Sequence, residues 1–108
     1  MVGRTPELAA ITDQFRRELE KMGIRSQEIL LYGSQRWGTV EEGSDIDLIV
    51  VSPDWAAYNR RERLELLGVA AARLLQPIQA QGYTPEEISK RELGRLWQEI
   101  LEKEAIPI

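Results

Sequence analysis

The sequence predicts a single α/β (α+β) domain over residues 1–108, a short mixed β-sheet flanked by helices in the order α-β-β-α-β-α. Three observations predict it. Segments with apolar residues at helical spacing alternate with short runs rich in Ile, Val and Leu. A chain of 108 residues, 43% hydrophobic and 30% charged, can bury one core without staples. No internal repeat, low-complexity tract or linker divides it.

Thr5-Pro6-Glu7 opens the first helix, with Thr as cap, Pro at the first helical position and an acid in the first turn. Leu8, Ile11, Phe15, Leu19 and Met22 recur at spacings of three and four, so a helix is expected from about Pro6 to Met22, stopped by Gly23. Glu28 to Tyr32 reads as a short strand ending at Gly33, and residues 35–43 as a loop. Asp45 to Val51 is the strongest strand signal in the chain. Ser52-Pro53-Asp54 ends it and starts a helix running from Trp55 or Tyr58 to Leu75, with Leu64, Leu67, Ala71, Leu74 and Leu75 as its buried stripe.

Pro77 closes that helix, and Ile78 to Tyr83 is a third strand, weakened by Gln79, Gln81 and Gly82. Thr84-Pro85-Glu86-Glu87 is a capping box. The helix it opens is expected to reach about Lys103, burying Ile88, Leu93, Leu96, Trp97, Ile100 and Leu101. The apolar tail from Ala105 to Ile108 either packs on its own sheet or meets a protein partner.

Composition limits the chemistry. There are no cysteines and no histidines, so disulfides, thiolate sites and imidazole bases are excluded. Any metal must sit on oxygen ligands, which favours Mg²⁺, Mn²⁺ or Ca²⁺. A formal charge of −4 argues against binding nucleic acid by global electrostatics. The first residues lack a signal-peptide pattern and no stretch is long enough to span a membrane, so the expected compartment is the cytoplasm.

The chemistry concentrates in "LLYGSQRWGTVEEGSDIDLIVVS", Leu30 to Ser52. Side chains two apart on a strand share a face, so Asp45, Asp47 and Ile49 point one way and Ile46, Leu48 and Val50 the other, into core. Two carboxylates on one face repel unless one takes a proton or a cation joins them, and a hard divalent cation is the natural guest. Gly33 lets backbone approach a bulky ligand, and Ser34 offers a hydroxyl and an N–H, which suits phosphate oxygens. Gly38 and Gly43 keep the loop free of bulk. A phosphate grip beside a carboxylate metal clamp equips a site for phosphoryl or nucleotidyl transfer.

Gly33-Ser34, Gly38 and Ser44-Asp45-Ile46-Asp47, at their spacing, resemble the signature of the minimal nucleotidyltransferases, a small branch of the polymerase-β-like nucleotidyltransferase superfamily. "GYTPEEI" and "ILEKEAIPI" resemble that family's later helix cap and C-terminal end, so the likeness covers nearly the whole chain. It implies a nucleotidyltransferase fold in which Gly33 and Ser34 hold the phosphates of ATP. It also implies that Asp45 and Asp47 carry two Mg²⁺ ions and that AMP passes to a hydroxyl. It further implies a HEPN-type protein partner, with this chain as the antitoxin of a toxin–antitoxin pair; a chain this short, with no obvious second domain to bind a small molecule, points to a protein or RNA acceptor. The alternative is a non-catalytic module of the same fold that neutralises a toxin by contact.

Two departures stand out. Many relatives place Arg before the second Gly, where this chain has Trp37; Arg36, one position earlier, is the candidate replacement. The superfamily's third carboxylate, expected in Pro77–Gln81, is absent; Gln79 is its nearest counterpart, and an amide cannot act as a base. Glu86 and Glu87 follow that strand, with Glu87 expected to cap, and Glu41 and Glu42 lie in the loop. Binding of Mg²⁺–nucleotide is thus better supported than turnover. Trp37 either plugs the loop or stacks on a base. Arg60, Arg61 and Arg63 read as a solvated helix face, with a patch for triphosphate, RNA or an acidic protein as the alternative. Trp55 and Tyr58 read as packing at the start of the helix or as a partner surface, and Trp97 as core.

Overall fold

Helix α1 spans Pro6–Lys21, and its apolar stripe buries Leu8, Phe15 and Leu19. The structure, a computed structural model, describes residues 6–32, 46–89 and 106–107. The C-terminus of α1 is closed as a Schellman turn: Gly23, at φ 88°, donates to the Glu20 carbonyl and Ile24 to that of Leu19. Ile24 and Leu19 are both fully buried there, so the turn also aims the chain into the sheet.

Strands β1 (Glu28–Tyr32), β2 (Ile46–Val51), β3 (Ile78–Tyr83) and β4 (Ile106–Pro107) form one mixed sheet in the order β3-β2-β1-β4. β1 and β3 have the limits the sequence predicts. β4 adds a fourth strand to the predicted three: Leu31 pairs with Ile106 and Leu30 with Pro107, so the apolar tail lies on its own sheet. β1 runs antiparallel to both neighbours, while β2 and β3 are parallel. A parallel pair needs a long crossover, and the segment between them supplies it.

The expected single helix from Trp55 or Tyr58 to Leu75 is instead two pieces. A 3₁₀ turn covers Pro53–Ala57, with Ser52 Oγ accepting from the Asp54 N–H at 3.1 Å. Helix α2 then starts afresh at Arg60 and runs to Leu74. Asn59 opens it with a full capping box: its side chain accepts from the Glu62 N–H and its own N–H donates to Glu62 Oε1, each at 2.9 Å. Two start signals, Ser52 and Asn59, seven residues apart cannot both open one α-helix, and the box wins.

α2 buries Leu67, Ala70 and Ala71. Two members of its predicted stripe are exposed instead, Leu64 at 47% and Leu75 at 90%. Leu75 caps the helix in the left-handed conformation, at φ 54°, which turns it out of the core. Helix α3 is described over Pro85–Ser89; its expected continuation to Lys103 lies outside the described residues.

The two sheet faces have different tasks. One carries Ile29, Leu31, Ile46, Leu48, Val50 and Ala80 against α1, α2 and Trp55. The other gathers Ile49, Val51 and Tyr83, with Leu30 and Ile88 packed on them. This split is the one the strand alternation predicts. Among the described residues no helix is long and apolar enough to cross a membrane.

Candidate functional site

Asp47 is the second residue of β2 and lies half-buried on the face opposite the main core. Its register places it opposite Tyr32 of β1 on one side and Gln79 of β3 on the other. Residues paired across a parallel ladder share a face at a strand spacing of about 4.8 Å. Gln79 is therefore the lateral neighbour of Asp47, and it is exposed. Gln79 is the nearest counterpart of the third carboxylate that the resemblance implies, and the parallel register sets it beside Asp47.

β1 ends and β2 begins at this end of the sheet. The other predicted site residues, Gly33, Ser34, Arg36, Gly38, Ser44 and Asp45, lie outside the described residues, as do Trp37, Glu41 and Glu42. Of the predicted metal and phosphate ligands, Asp47 alone is thus placed. Among the described residues no group of three or more carboxylate, imidazole or thiolate side chains could hold a metal ion.

Glu87 cannot replace the missing acid, because it is committed elsewhere. Its Oε1 accepts from the Thr84 N–H at 2.8 Å while Thr84 Oγ1 accepts from the Glu87 N–H at 3.1 Å, completing the predicted capping box. The same carboxylate takes a two-pronged contact from Arg63, at 2.7 Å to Nη1 and 3.2 Å to Nη2. Burial opposes ionisation of Glu87, but the Arg63 guanidinium and the Thr84 N–H outweigh it and hold the carboxyl below its ordinary value of 4.5.

Arg63 corrects the sequence reading of a solvated arginine face. Its side chain is 9% exposed. Nε donates to the carbonyls of Trp55 and Tyr58, at 3.1 and 3.0 Å, and Nη1 also reaches the Gly82 carbonyl at 3.2 Å. One guanidinium thus ties the 3₁₀ turn, β3 and α3 to α2. The signal was present in the sequence: Arg63 precedes Leu67 by four residues and Ala70 by seven, on the buried stripe. Arg61 is exposed and pairs with Glu65, as a solvated face would. Arg60 reaches over the Tyr83 ring, 5.5 Å from its centre.

Trp55 is fully buried, with Nε1 donating to the Val50 carbonyl at 3.1 Å, so of its two predicted roles the packing one holds.

Comparison with family models supplies the deciding observation. The family described as "nucleotidyltransferase domain" matches residues 12–106. The chain belongs to that family. Neither curated proteins nor solved structures gave a match. The match spans β1 to β3 and reaches the first residue of β4, and it includes the residues that carry the Gly-Ser and Asp-x-Asp resemblance. Domains of this family generally use a nucleoside triphosphate and a divalent metal. The placed residues fit such a metal in kind: Asp47 and Gln79 offer oxygen donors side by side, the hard ligands that Mg²⁺ prefers.

Proposed function

We propose that this nucleotidyltransferase domain binds Mg²⁺–ATP at the Asp47 end of the sheet and transfers AMP to a hydroxyl of a protein or RNA acceptor. Family membership supports the reaction class. The register that sets half-buried Asp47 on the face opposite the main core, at the end where β1 finishes and β2 begins, supports this choice of site. Asp45 and Asp47 are the proposed metal ligands, two apart and hence on one strand face. Gly33 and Ser34 are the proposed phosphate grip, with Gly38 and Ser44 shaping the loop and Arg36 offering positive charge to the triphosphate.

Bound Mg²⁺ would supply charge against the triphosphate and the leaving pyrophosphate. In the transfer the acceptor oxygen bonds to the α-phosphorus and the bond from α-phosphorus to the bridging oxygen breaks. Gln79 cannot take the acceptor proton, which predicts slower turnover than a carboxylate at that position would give. We place the domain in the cytoplasm with a HEPN-type toxin as its partner, the setting that the motif resemblance suggests.

The pairing of Gln79 with Asp47 also favours a second reading, a domain that binds Mg²⁺–nucleotide and neutralises its partner by contact alone. One experiment separates them. The purified protein is incubated with α-phosphate-labelled ATP, Mg²⁺ and a lysate of its source, beside Asp47→Asn. A labelled protein or RNA band that the variant loses supports transfer. Metal-dependent ATP binding without any band supports the contact reading. Absence of both refutes the site.

A further inference from the structure

We infer that the free edge of β3 is a dimer interface, taking a second copy of this chain antiparallel about a two-fold axis at Ala80. β3 ends the sheet among the described residues. Its inner groups can be read from the ladder: Ile46 N–H donates to the Pro77 carbonyl at 2.7 Å and Ser52 N–H to the Tyr83 carbonyl at 3.0 Å. In a parallel pair successive residues alternate in direction, so Pro77, Gln79, Gln81 and Tyr83 face β2, and Ile78, Ala80 and Gly82 face outward. At the two ends the outward groups are already satisfied. Ile78 N–H donates to the Gln76 carbonyl at 2.9 Å, and the Gly82 carbonyl accepts from Arg63 at 3.2 Å.

Among the described residues four outward groups have no partner: the Ile78 carbonyl, both groups of Ala80, and the Gly82 N–H. That set is symmetric about Ala80. Antiparallel pairing with a second β3 exchanges two bonds between the Ala80 residues and joins each Gly82 N–H to the opposite Ile78 carbonyl. All four groups on each copy are then used.

The side chains agree. Edge strands are ordinarily guarded by charge, an internal Pro or a bulge, and "IQAQGY" has neither charge nor internal Pro. On the outer face Gln79 would meet the partner's Gln81, two neutral amides that can bond to each other. On the inner face α2 leaves a groove of about 250 Å³ along the strand, bordered by Leu64, Leu67, Gly68 and Ile78. Leu64, Gly68 and Ala72 are all exposed and lie four residues apart, an uncharged stripe beside the groove. Leu64 is a residue that the sequence predicts as buried. A second α2 across the axis would cover it, and Gly68 and Ala72 would let the helices approach.

The dimer would join two sheets into one, with both Asp47 residues on the same face. Three strand spacings and a two-residue offset put them about 16 Å apart.

The test is sedimentation of the full chain across a concentration series, with Gly68→Glu and Gly68→Lys. Nothing lies within 4 Å of a Cβ built at Gly68, so either side chain fits the monomer. Helix propensity also improves, so thermal unfolding followed by circular dichroism must not fall. The expected result is a wild-type dimer, a dissociation constant raised at least about tenfold in each variant, and recovery of dimer when the two are mixed. A monomeric wild type overturns the inference. So does a dimer that both variants leave intact, or a mixture that stays monomeric.

Discussion

Replacing Arg63 by Met tests how the crossover is fastened to the sheet. Met keeps much of the length and apolar stem but removes every donor. The Trp55 carbonyl would still accept from the Tyr58 N–H at 3.0 Å. The carbonyls of Tyr58 and Gly82 would lose the Arg63 donor, and so would the Glu87 carboxylate. A lost bond to a carbonyl costs about 1 kcal/mol and one to a charged group about 1.5–3 kcal/mol. Glu87 keeps 27% side-chain exposure, so water rescues part of its share. The sum is about 3–4 kcal/mol, at the low end of the roughly 3–5 kcal/mol found on removing one partner of a buried pair. For a domain of this size that corresponds to a fall in Tm of about 15 °C. Urea unfolding followed by circular dichroism measures it. Arg63→Lys keeps the charge but not the planar fork, and should recover less than half. A loss below about 1 kcal/mol for Arg63→Met would refute the fastening argument.

Acid should act through the same pair. Because the Glu87 carboxyl is depressed, its contribution is complete above its ordinary value of 4.5 and fades as pH falls through its lower native value. Wild-type stability should therefore drop between about pH 5 and 3, and Arg63→Met should flatten that slope; equal slopes would refute the linkage. Gly82→Ala should cost about 1–3 kcal/mol, because a Cβ there would lie 2.7 Å from Trp55 Cε2. In urea unfolding that cost should shrink in a Trp55→Phe background, and a cost independent of Trp55 would count against the clash. Gln79→Asp puts a carboxylate beside Asp47 and should tighten Mn²⁺ binding at least about tenfold by titration calorimetry; no change would mean that the two positions do not share a metal.

The sequence was most legible where local signals agree. β1 and β3 have the predicted limits because turn formers bound them, Gly33 after the apolar run of β1 and Pro77 and Thr84 around β3. The Thr84–Glu87 box is local chemistry and was read directly. What was not legible depends on distant parts of the chain. The spacing of Arg63 from Leu67 and Ala70 is local, but its acceptors are not: they come from the 3₁₀ turn, β3 and α3. β4 has two residues and hence no periodicity to read; its partner lies more than seventy residues earlier. At the site, Asp47 was marked by its motif, and Gln79 was picked out by its likeness to a family position. That they are neighbours follows only from the parallel register, which no local pattern specifies.

Among the described residues, the parallel pair β2–β3 is fastened by the crossover at its C-terminal end. Trp55 Nε1 bonds to the Val50 carbonyl, Arg63 to the Gly82 carbonyl, and the Ser52 N–H to the Tyr83 carbonyl, all at the C-terminal ends of the two strands. Asp47 and Gln79 lie towards the N-terminal ends. Four residues of strand, about 13 Å, separate Asp47 from Val51. The fastening contacts and the proposed site thus lie at different ends of the same two strands. It follows that Arg63→Met should lower the unfolding free energy while leaving metal-dependent ATP affinity within about twofold at 10 °C, where the variant remains folded. Asp47→Asn should do the reverse, abolishing that affinity with little change in stability. If Arg63→Met weakened ATP binding as strongly as Asp47→Asn at a temperature where circular dichroism shows both folded, the two ends would be coupled and this division would be wrong.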